Sequence, residues 1–362
     1  MTADDIAFAE LPALQRLLAK KRLSSLELTD LYLARLERFG ETYGAVVSIL
    51  HERARAEAKR ADRERAKGTI RGPLHGIPYG AKDLLATPDA PTTWGAQPFR
   101  NQRFDFDATV VRRLRDAGAV LAAKLSMVEL AGGFGYNHAD ASITGPGRTP
   151  WNAAFWSGGS SSGSGSAVAA GLVPFALGSE TCGSILFPAT SCGITGLRPT
   201  YGRVSRHGAM ALCWTLDKLG PMTRSAADAE TVLRIIAGAD PADPTARERP
   251  FPLPRRRPRI AVLAKATRKT MPAVKANFTR SLRVLGEFCD LVEGVELPDL
   301  PYAPAVEIIV KAEGAAAFRG LIESGRAREL RAVDDRTGGL PTAARGISTS
   351  RQTYVRMIPS KP

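Results

Sequence analysis

The residues with the clearest chemical promise lie between Gly158 and Pro188. The stretch opens Gly-Gly-Ser-Ser-Ser-Gly-Ser-Gly-Ser, runs through an apolar segment from Ala167 to Gly178, and closes on Ser-Glu-Thr-Cys-Gly-Ser-Ile-Leu-Phe-Pro. Glycine tolerates unusual backbone angles and close approach by other groups. Two Gly/Ser turns at the ends of one buried segment would bring hydroxyls and free backbone N–H groups together, as hydrolysis through a serine requires. Two other readings compete. A Gly/Ser run is often a flexible linker, but linkers do not normally lead straight into a patterned apolar segment. A phosphate loop needs Gly-Lys followed by Ser or Thr, and no lysine occurs between Lys124 and Lys218.

Composition narrows the field. The four cysteines, Cys182, Cys192, Cys213 and Cys289, show neither CxxC spacing nor a paired histidine motif, which argues against zinc. So few cysteines in 362 residues point to reduced thiols and a cytoplasmic setting. The N-terminus is acidic and lacks the apolar core of a signal peptide. The longest apolar stretch is too short to span a bilayer. A net charge of +14 could attract nucleic acid or anionic lipid, yet Arg and Lys are dispersed. The densest run, Arg255-Arg256-Arg257-Pro258-Arg259, has no interleaved aromatics and reads as a solvated linker.

The elements that must position the serines alternate between helix and strand. Ser24 and Glu27 have capping-box spacing, and Leu28, Tyr32, Leu36 and Phe39 then mark one helical face, ended by Gly40. Val46 to Leu50 reads as a strand and Glu52 to Lys67 as a charged helix. Asp107 is placed to cap a helix carrying Val110, Val111 and Leu114, with a buried strand over Ala119–Lys124 after it. Helix followed by strand recurs at Ser164–Leu177, and again at Ala226–Ile236 with Arg259–Leu263. Further on come a helix over Pro272–Cys289 with Val274, Phe278, Leu282 and Leu285 on one face, a strand over Val292–Leu297 and a helix over Ala305–Arg331. This alternation predicts an α/β fold with a mixed, mainly parallel sheet covered by helices on both faces. The expected division is a helical segment over 1–68, a core over 69–237, a Pro/Arg-rich linker over 238–258 and a continuation of the core over 259–362.

Several of these stretches together resemble one family. Gly76-Ile77-Pro78-Tyr79-Gly80-Ala81-Lys82-Asp83 resembles the lysine motif of the amidase signature enzymes, and Gly158-Gly159-Ser160-Ser161-Ser162-Gly163-Ser164 their Gly/Ser loop. Gly183-Ser184-Ile185 with Pro188, and Cys192 to Thr200, resemble their nucleophile segment. The resemblance implies a Ser–Ser–Lys trio: Ser184 as nucleophile, Ser160 as bridging serine on a cis Gly159–Ser160 bond, Lys82 as base. It implies no metal or organic cofactor. Backbone N–H groups from Thr181, Cys182 and Gly183 to Ser184 would hold the oxyanion, and Phe134 would wall the acyl pocket.

The chemistry is coherent. A serine hydroxyl is a weak nucleophile until a base takes its proton, and a lysine becomes such a base when burial disfavours its ammonium. Lys82 beside Asp83 could instead form a surface ion pair. His75 and His207 invite a Ser–His–Asp reading, which the lysine mechanism makes unnecessary. Cys182 as nucleophile would need a histidine partner. The sequence departs from the family at Cys182, usually Gly, at Glu180, commonly Asp, and at Leu186, where many members carry Arg; these changes point to a more apolar pocket. The implied activity is hydrolysis of a small-molecule carboxylic amide, by one chain or a homo-oligomer, with no membrane involved. The alternatives are the glutamine-hydrolysing subunit of a tRNA-dependent amidotransferase, which needs partner subunits, and an inactive homologue shortened at its C-terminus.

Overall fold

The computed structural model describes residues 2–134, 138–251 and 256–332; the expectations for Arg255 and for the chain beyond 332, Ile347–Pro362 included, lie outside the described residues. In chain order the first elements are α1 (Ala3–Ala7), α2 (Leu11–Ala19), α3 (Ser25–Phe39), β1 (Val46–Ile49), α4 (His51–Ala66), β2 (Pro78–Lys82), α5 (Thr109–Asp116) and β3 (Val120–Leu125). Next come α6 (Ser162–Ala169), β4 (Phe175–Glu180), α7 (Leu186–Cys192), β5 (Thr195–Gly196), β6 (Lys218–Thr223) and α8 (Ala226–Ile236). The last are β7 (Arg259–Leu263), α9 (Pro272–Phe288), β8 (Asp290–Val295), α10 (Tyr302–Ala317) and α11 (Arg319–Glu323).

β1 to β6 form one sheet in the order β1-β3-β2-β4-β6-β5. β2 lies parallel to both β3 and β4, while β1, β6 and β5 join through antiparallel pairings. Thus β2, β3, β4 and β5 run one way, and β1 and β6 the other. Successive strand residues point to opposite faces. Leu121, Phe175 and Leu177 accordingly enter a core with Val110 and Leu114 of α5 and Val232 of α8. Val120, Ala122 and Ala176 enter another with Leu36 of α3, Ala54 of α4 and Val168 of α6. This is the mixed α/β sheet with helices on both faces that the alternation predicts. Because every residue of β2, β3 and β4 is buried, any polar side chain on them needs an internal partner.

Local signals hold where the chain partners itself. The Ser24–Glu27 capping box opens α3, with Glu27 N donating to Ser24 Oγ and Ser24 N to the Glu27 carboxylate. The cap expected at Asp107 does not form. Ala108 is the residue before α5, and no side chain caps it. Asp107 instead receives two hydrogen bonds from the Arg53 guanidinium, at 2.8 and 3.0 Å, and one from Arg115. A charge-assisted fork outweighs a single bond to a helix N–H.

The chain divides into two compact units, Met1–Glu248 with the chain from Ile308, and Arg249–Glu307. The alternation of elements carries the expected core sheet on into 259–362; among the described residues β7 and β8 pair with each other instead, in parallel, with α9 as the crossover. A βαβ unit closes its own backbone pairing. On α9, Phe278 and Leu282 are half-buried, whereas Val274 and Leu285 are exposed. Arg257, in the basic run read as solvated, donates to the carbonyls of Gly286, Glu287 and Cys289 at the end of α9 and pairs with Asp290 at 2.8 Å. The single helix expected over Ala305–Arg331 is broken into α10, α11 and a 3-10 turn at Arg326–Glu329, the last preceded by Gly325 at φ 73°.

Asp107 and Arg53 are nearly fully buried, and removing Asp107 deletes the fork and the Arg115 bond while Arg53 keeps Glu57 and Asp89 as ionic partners. Asp107→Ala is expected to lower unfolding stability by about 2–3 kcal/mol through the lost charge-assisted hydrogen bonds, against about 1 kcal/mol for a lost helix cap. Urea unfolding at pH 7 distinguishes the two.

Candidate active site

Lys82 is the last residue of β2 and is fully buried. Its Nζ lies 2.7 Å from Ser160 Oγ, 2.9 Å from Ser179 Oγ and 3.0 Å from Ser161 Oγ. No carboxylate touches it among the described residues. Burial lowers its pKa to about 7, against which the charges of Asp217 and Glu180 act upward. At that value the amine is substantially unprotonated at neutral pH.

The Gly/Ser stretch is packed rather than loose. The Gly159–Ser160 peptide bond is cis, as the family resemblance implies. Ser160 O accepts from Val128 N. From Ser162 the chain enters α6, whose Ser164 hydroxyl donates to Leu177 O and whose Ser166 hydroxyl donates to Arg148 O. A Cβ at Gly163 would fall 2.3 Å from Ala45 O and 2.5 Å from Ser126 N, so only glycine lets α6 approach the sheet this closely. The serines serve as internal acceptors and donors, which is why a run that resembles a linker is buried.

Ser184 follows β4 and is nearly fully buried. Its carbonyl accepts from Ser161 N at 3.3 Å, which seats it beside the Ser160–Ser161 turn. The four residues from Thr181 to Ser184 are held from both ends. Glu180, buried, accepts from Ile185 N at 2.8 Å and Leu186 N at 3.0 Å. Asp217 accepts from the Thr181 hydroxyl with one oxygen and from Leu212 N and Cys213 N with the other. Lys218 Nζ donates to Thr181 O at 3.1 Å. The backbone N–H groups of Cys182, Gly183 and Ser184 bond to no other described residue. Gly183 has φ 92°, and a Cβ there would meet nothing within 4 Å, so the space on the side-chain face of Gly183 is open.

None of the other candidates bonds to the lysine cluster among the described residues, although His207 lines the cleft beside it. Cys182 is exposed and free, and no histidine bonds to it among the described residues. His75 is buried, with Nδ1 accepting from Arg71 N and Nε2 facing Ala61 O; burial lowers its pKa. His207 stacks on Phe106 and contacts Thr109 Oγ1 at 3.4 Å. Asp83 is no surface partner of Lys82: it pairs with Lys124, and both are fully buried. Phe134 is buried against Phe318, with ring centroids 5.8 Å apart.

A cleft of about 300 Å³ adjoins the lysine cluster through Ser179 and Thr181. Its walls are mainly apolar, with Leu84, Met210, Leu212, Trp214 and Leu219, and Phe134 is not among its lining residues. Its polar lining includes His207, Asp217, Asp243 and Arg206, the last of which donates to Trp214 O, to the Tyr201 hydroxyl and to Thr245 Oγ1 and lies 3.6 Å from the Asp243 carboxylate. Among the described residues no group of three or more His, Cys, Asp or Glu is placed to hold a metal ion, and no helix is long and apolar enough to cross a membrane.

Sequence reasoning missed Ser179 as a lysine partner and Asp217 as an anchor. Strand periodicity carries a signal for the first: Ala81 pairs with Leu177, so Lys82 and Ser179 sit near the same end of adjacent strands. Nothing local marks Asp217.

The Amidase family model matches residues 27–349, and the chain belongs to that family. AmiD of Mycobacterium tuberculosis, which carries an amidase name, is 46% identical over 249 residues, 69% of this chain and 51% of that protein. A glutamyl-tRNA(Gln) amidotransferase subunit from Roseiflexus castenholzii is 42% identical over 311 residues, 83% of this chain and 63% of that one. The chain thus spans between half and two thirds of these relatives. Among solved structures, the native peptide amidase of Stenotrophomonas maltophilia matches with TM-score 0.79 at 34% identity, over 95% of this chain and 79% of its own. A protein of a vestigial complex tied to the origins of an s-triazine catabolic enzyme matches with TM-score 0.84 at 30% identity, over 96% of this chain and 76% of its own.

Glu180→Ala would leave two backbone N–H groups without their carboxylate acceptor. The expected loss is about 2–3 kcal/mol of unfolding stability. Urea unfolding, read beside Glu180→Gln, which keeps an acceptor oxygen, checks it.

Proposed function

We propose that this chain hydrolyses a carboxylic amide to a carboxylate and ammonia or an amine, with Ser184 as nucleophile, Ser160 as proton relay and Lys82 as base. The observation that carries this reading is the fully buried Lys82 amine, 2.7 Å from Ser160 Oγ, with its pKa brought down to about 7. An ammonium donates three hydrogen bonds, whereas a free amine donates two and accepts one. Three hydroxyls surround Nζ, so the free amine can accept from Ser160 while donating to Ser161 and Ser179.

In acylation Ser184 Oγ bonds to the amide carbon and passes its proton to Ser160 Oγ, whose own proton moves to Lys82 Nζ. The tetrahedral oxygen becomes an anion, and the unengaged N–H groups of Cys182, Gly183 and Ser184 are available to it; such donors are each typically worth about 3–4 kcal/mol. The proton returns along the same path to the leaving nitrogen as the C–N bond breaks. Water then attacks the acyl-enzyme through the same relay. No step draws on a metal or an organic cofactor.

The cleft presents Asp217 and Asp243, and its one arginine lies 3.6 Å from the Asp243 carboxylate, which disfavours an anionic acyl group. Glutamine carries an α-carboxylate, and no uncommitted cation lines the cleft among the described residues. This sets the simple amidase reading ahead of the glutamine-hydrolysing one. The second reading stands on the 42% identity to an amidotransferase subunit; it calls for partner subunits, and copurification with them, together with glutamine as the preferred amide, would establish it.

A screen of primary amides against wild type and variants tests the proposal. Lys82→Ala and Ser184→Ala are expected to lose about 10⁴-fold or more in kcat/KM, and Ser160→Ala about 10²–10⁴-fold. His75→Ala should spare turnover per folded enzyme; if it abolishes turnover while Lys82→Ala does not, the assignment is wrong.

The pH profile supplies a separate check. Protonation disables the base, so kcat/KM should fall as pH drops through about 7 and level off above it. A profile flat from about pH 5 to 9 is incompatible with the lysine base.

A further inference from the structure

The residue that follows the base is itself a buried carboxylate. Asp83 is fully buried, and its ionic partner is Lys124, a second fully buried lysine, at 3.0 Å. Lys124 lies on β3, which runs parallel to β2 with Lys124 opposite Ala81 and Leu125 opposite Lys82. Lys124 Nζ also donates to Thr92 Oγ1 at 2.7 Å. The second carboxylate oxygen of Asp83 accepts from Thr93 N at 3.0 Å and from the Thr93 hydroxyl. The main chain of Asp83 is engaged as well: its N–H goes to Leu125 O and its carbonyl takes Trp94 N.

The proton relay makes no use of this pair, yet the pair bears on it electrostatically. A carboxylate within about 4–6 Å of an amine favours the ammonium and raises its pKa by about 1–3 units. The base works only as a free amine. Lys82, the last residue of β2, has its amine on the three serines, whereas Asp83, in the turn that follows, has its carboxylate on Lys124 and Thr93. The charges facing Lys82 are Asp217 and Glu180; those facing Lys124 are Asp83, Arg53 and Asp107. Without Lys124, Asp83 would be a buried anion one residue from the base.

Resting on the Ser–Ser–Lys reading above, we infer that Lys124 is a positioning residue for Lys82: by pairing with Asp83 it neutralises the buried carboxylate next to the base, whose field would otherwise favour the ammonium. The two buried lysines therefore do opposite work. Lys124 is an ion-pair cation, and Lys82 stays a neutral amine because Lys124 has taken the adjacent anion.

The test is the acid limb of the kcat/KM–pH profile in Lys124→Met, Asp83→Asn and the double variant, with thermal unfolding of each as a control. In Lys124→Met the limb should move to higher pH by about one unit, with activity recovering under more alkaline conditions. In Asp83→Asn/Lys124→Met, which has no anion left to compensate, the limb should return to its wild-type position. A limb that stays in place in folded Lys124→Met, or a shift that persists in the double variant, overturns the inference. Should Lys124→Met not fold, Lys124→Gln, which can still bond Thr92, carries the same two outcomes. Lys82→Ala in the same assay separates the two levels. If it remains active, the Ser–Ser–Lys reading itself fails. If it is inactive while the Lys124 variants show no shift, only the role of Lys124 falls.

Discussion

A lysine amine shut away from water and given hydroxyls in place of a carboxylate is the constraint around which this molecule is built. Transferring an ammonium into a protein interior is costly unless an anion accompanies it. Here the interior supplies Ser160, Ser161 and Ser179 to Lys82 Nζ. Hydroxyls can accept from an ammonium or donate to an amine, so they satisfy either protonation state without fixing one. Desolvation then decides, and it favours the amine. Lys124, on the next strand and equally buried, is treated the other way: it receives Asp83. What separates the two lysines is the chemistry of the acceptor, hydroxyls for one and a carboxylate for the other, not the depth of burial.

That arrangement explains the density of small residues in the chain between 158 and 184. Three serine hydroxyls can reach one nitrogen only if the segments carrying them approach β2 closely. Gly163 and the short side chains of α6 permit that approach. Ser164 and Ser166 of the stretch are satisfied internally, donating to carbonyls of β4 and of the chain at Arg148. A flexible Gly/Ser linker would leave such groups to water. Packing against a fully buried sheet forces each of them to find an internal partner.

How far the sequence revealed this depends on whether a residue acts locally. Lys82, Ser160 and Ser184 stand in short segments with fixed offsets, and the structure brings their segments together, with Lys82 beside Ser160 and Ser184 against the Ser160–Ser161 turn. The alternation of helix and strand, set by hydrophobic periodicity, was equally legible. Asp107 shows where that reading ends: its position suits a helix cap, but Arg53, far earlier in the chain, claims it through a fork geometry that no local pattern encodes. Ser179, Asp217 and Lys124 were missed for the same reason, since each acts across strands or between loops. The region after Gly238 was read as a linker and more core because β7 and β8 look like core strands; their pairing with each other is a matter of topology, which propensity does not carry.

The loop from Thr181 to Ser184 shows how rigidity and openness are reconciled. Oxyanion donors are effective when they are already aimed and need no reorganisation at the moment of reaction. A loop can be aimed by packing side chains over it, but those side chains would cover its backbone N–H groups. Here the fastening is done from behind and at the ends. Glu180 takes the N–H groups of Ile185 and Leu186, Asp217 takes the Thr181 hydroxyl, and Lys218 takes the Thr181 carbonyl. The N–H groups between these anchors are left over, and Gly183, with no side chain and φ 92°, leaves the space on its own side-chain face open. Charged residues outside the reacting atoms thus fix the loop, and the backbone in its middle is free because its neighbours are not.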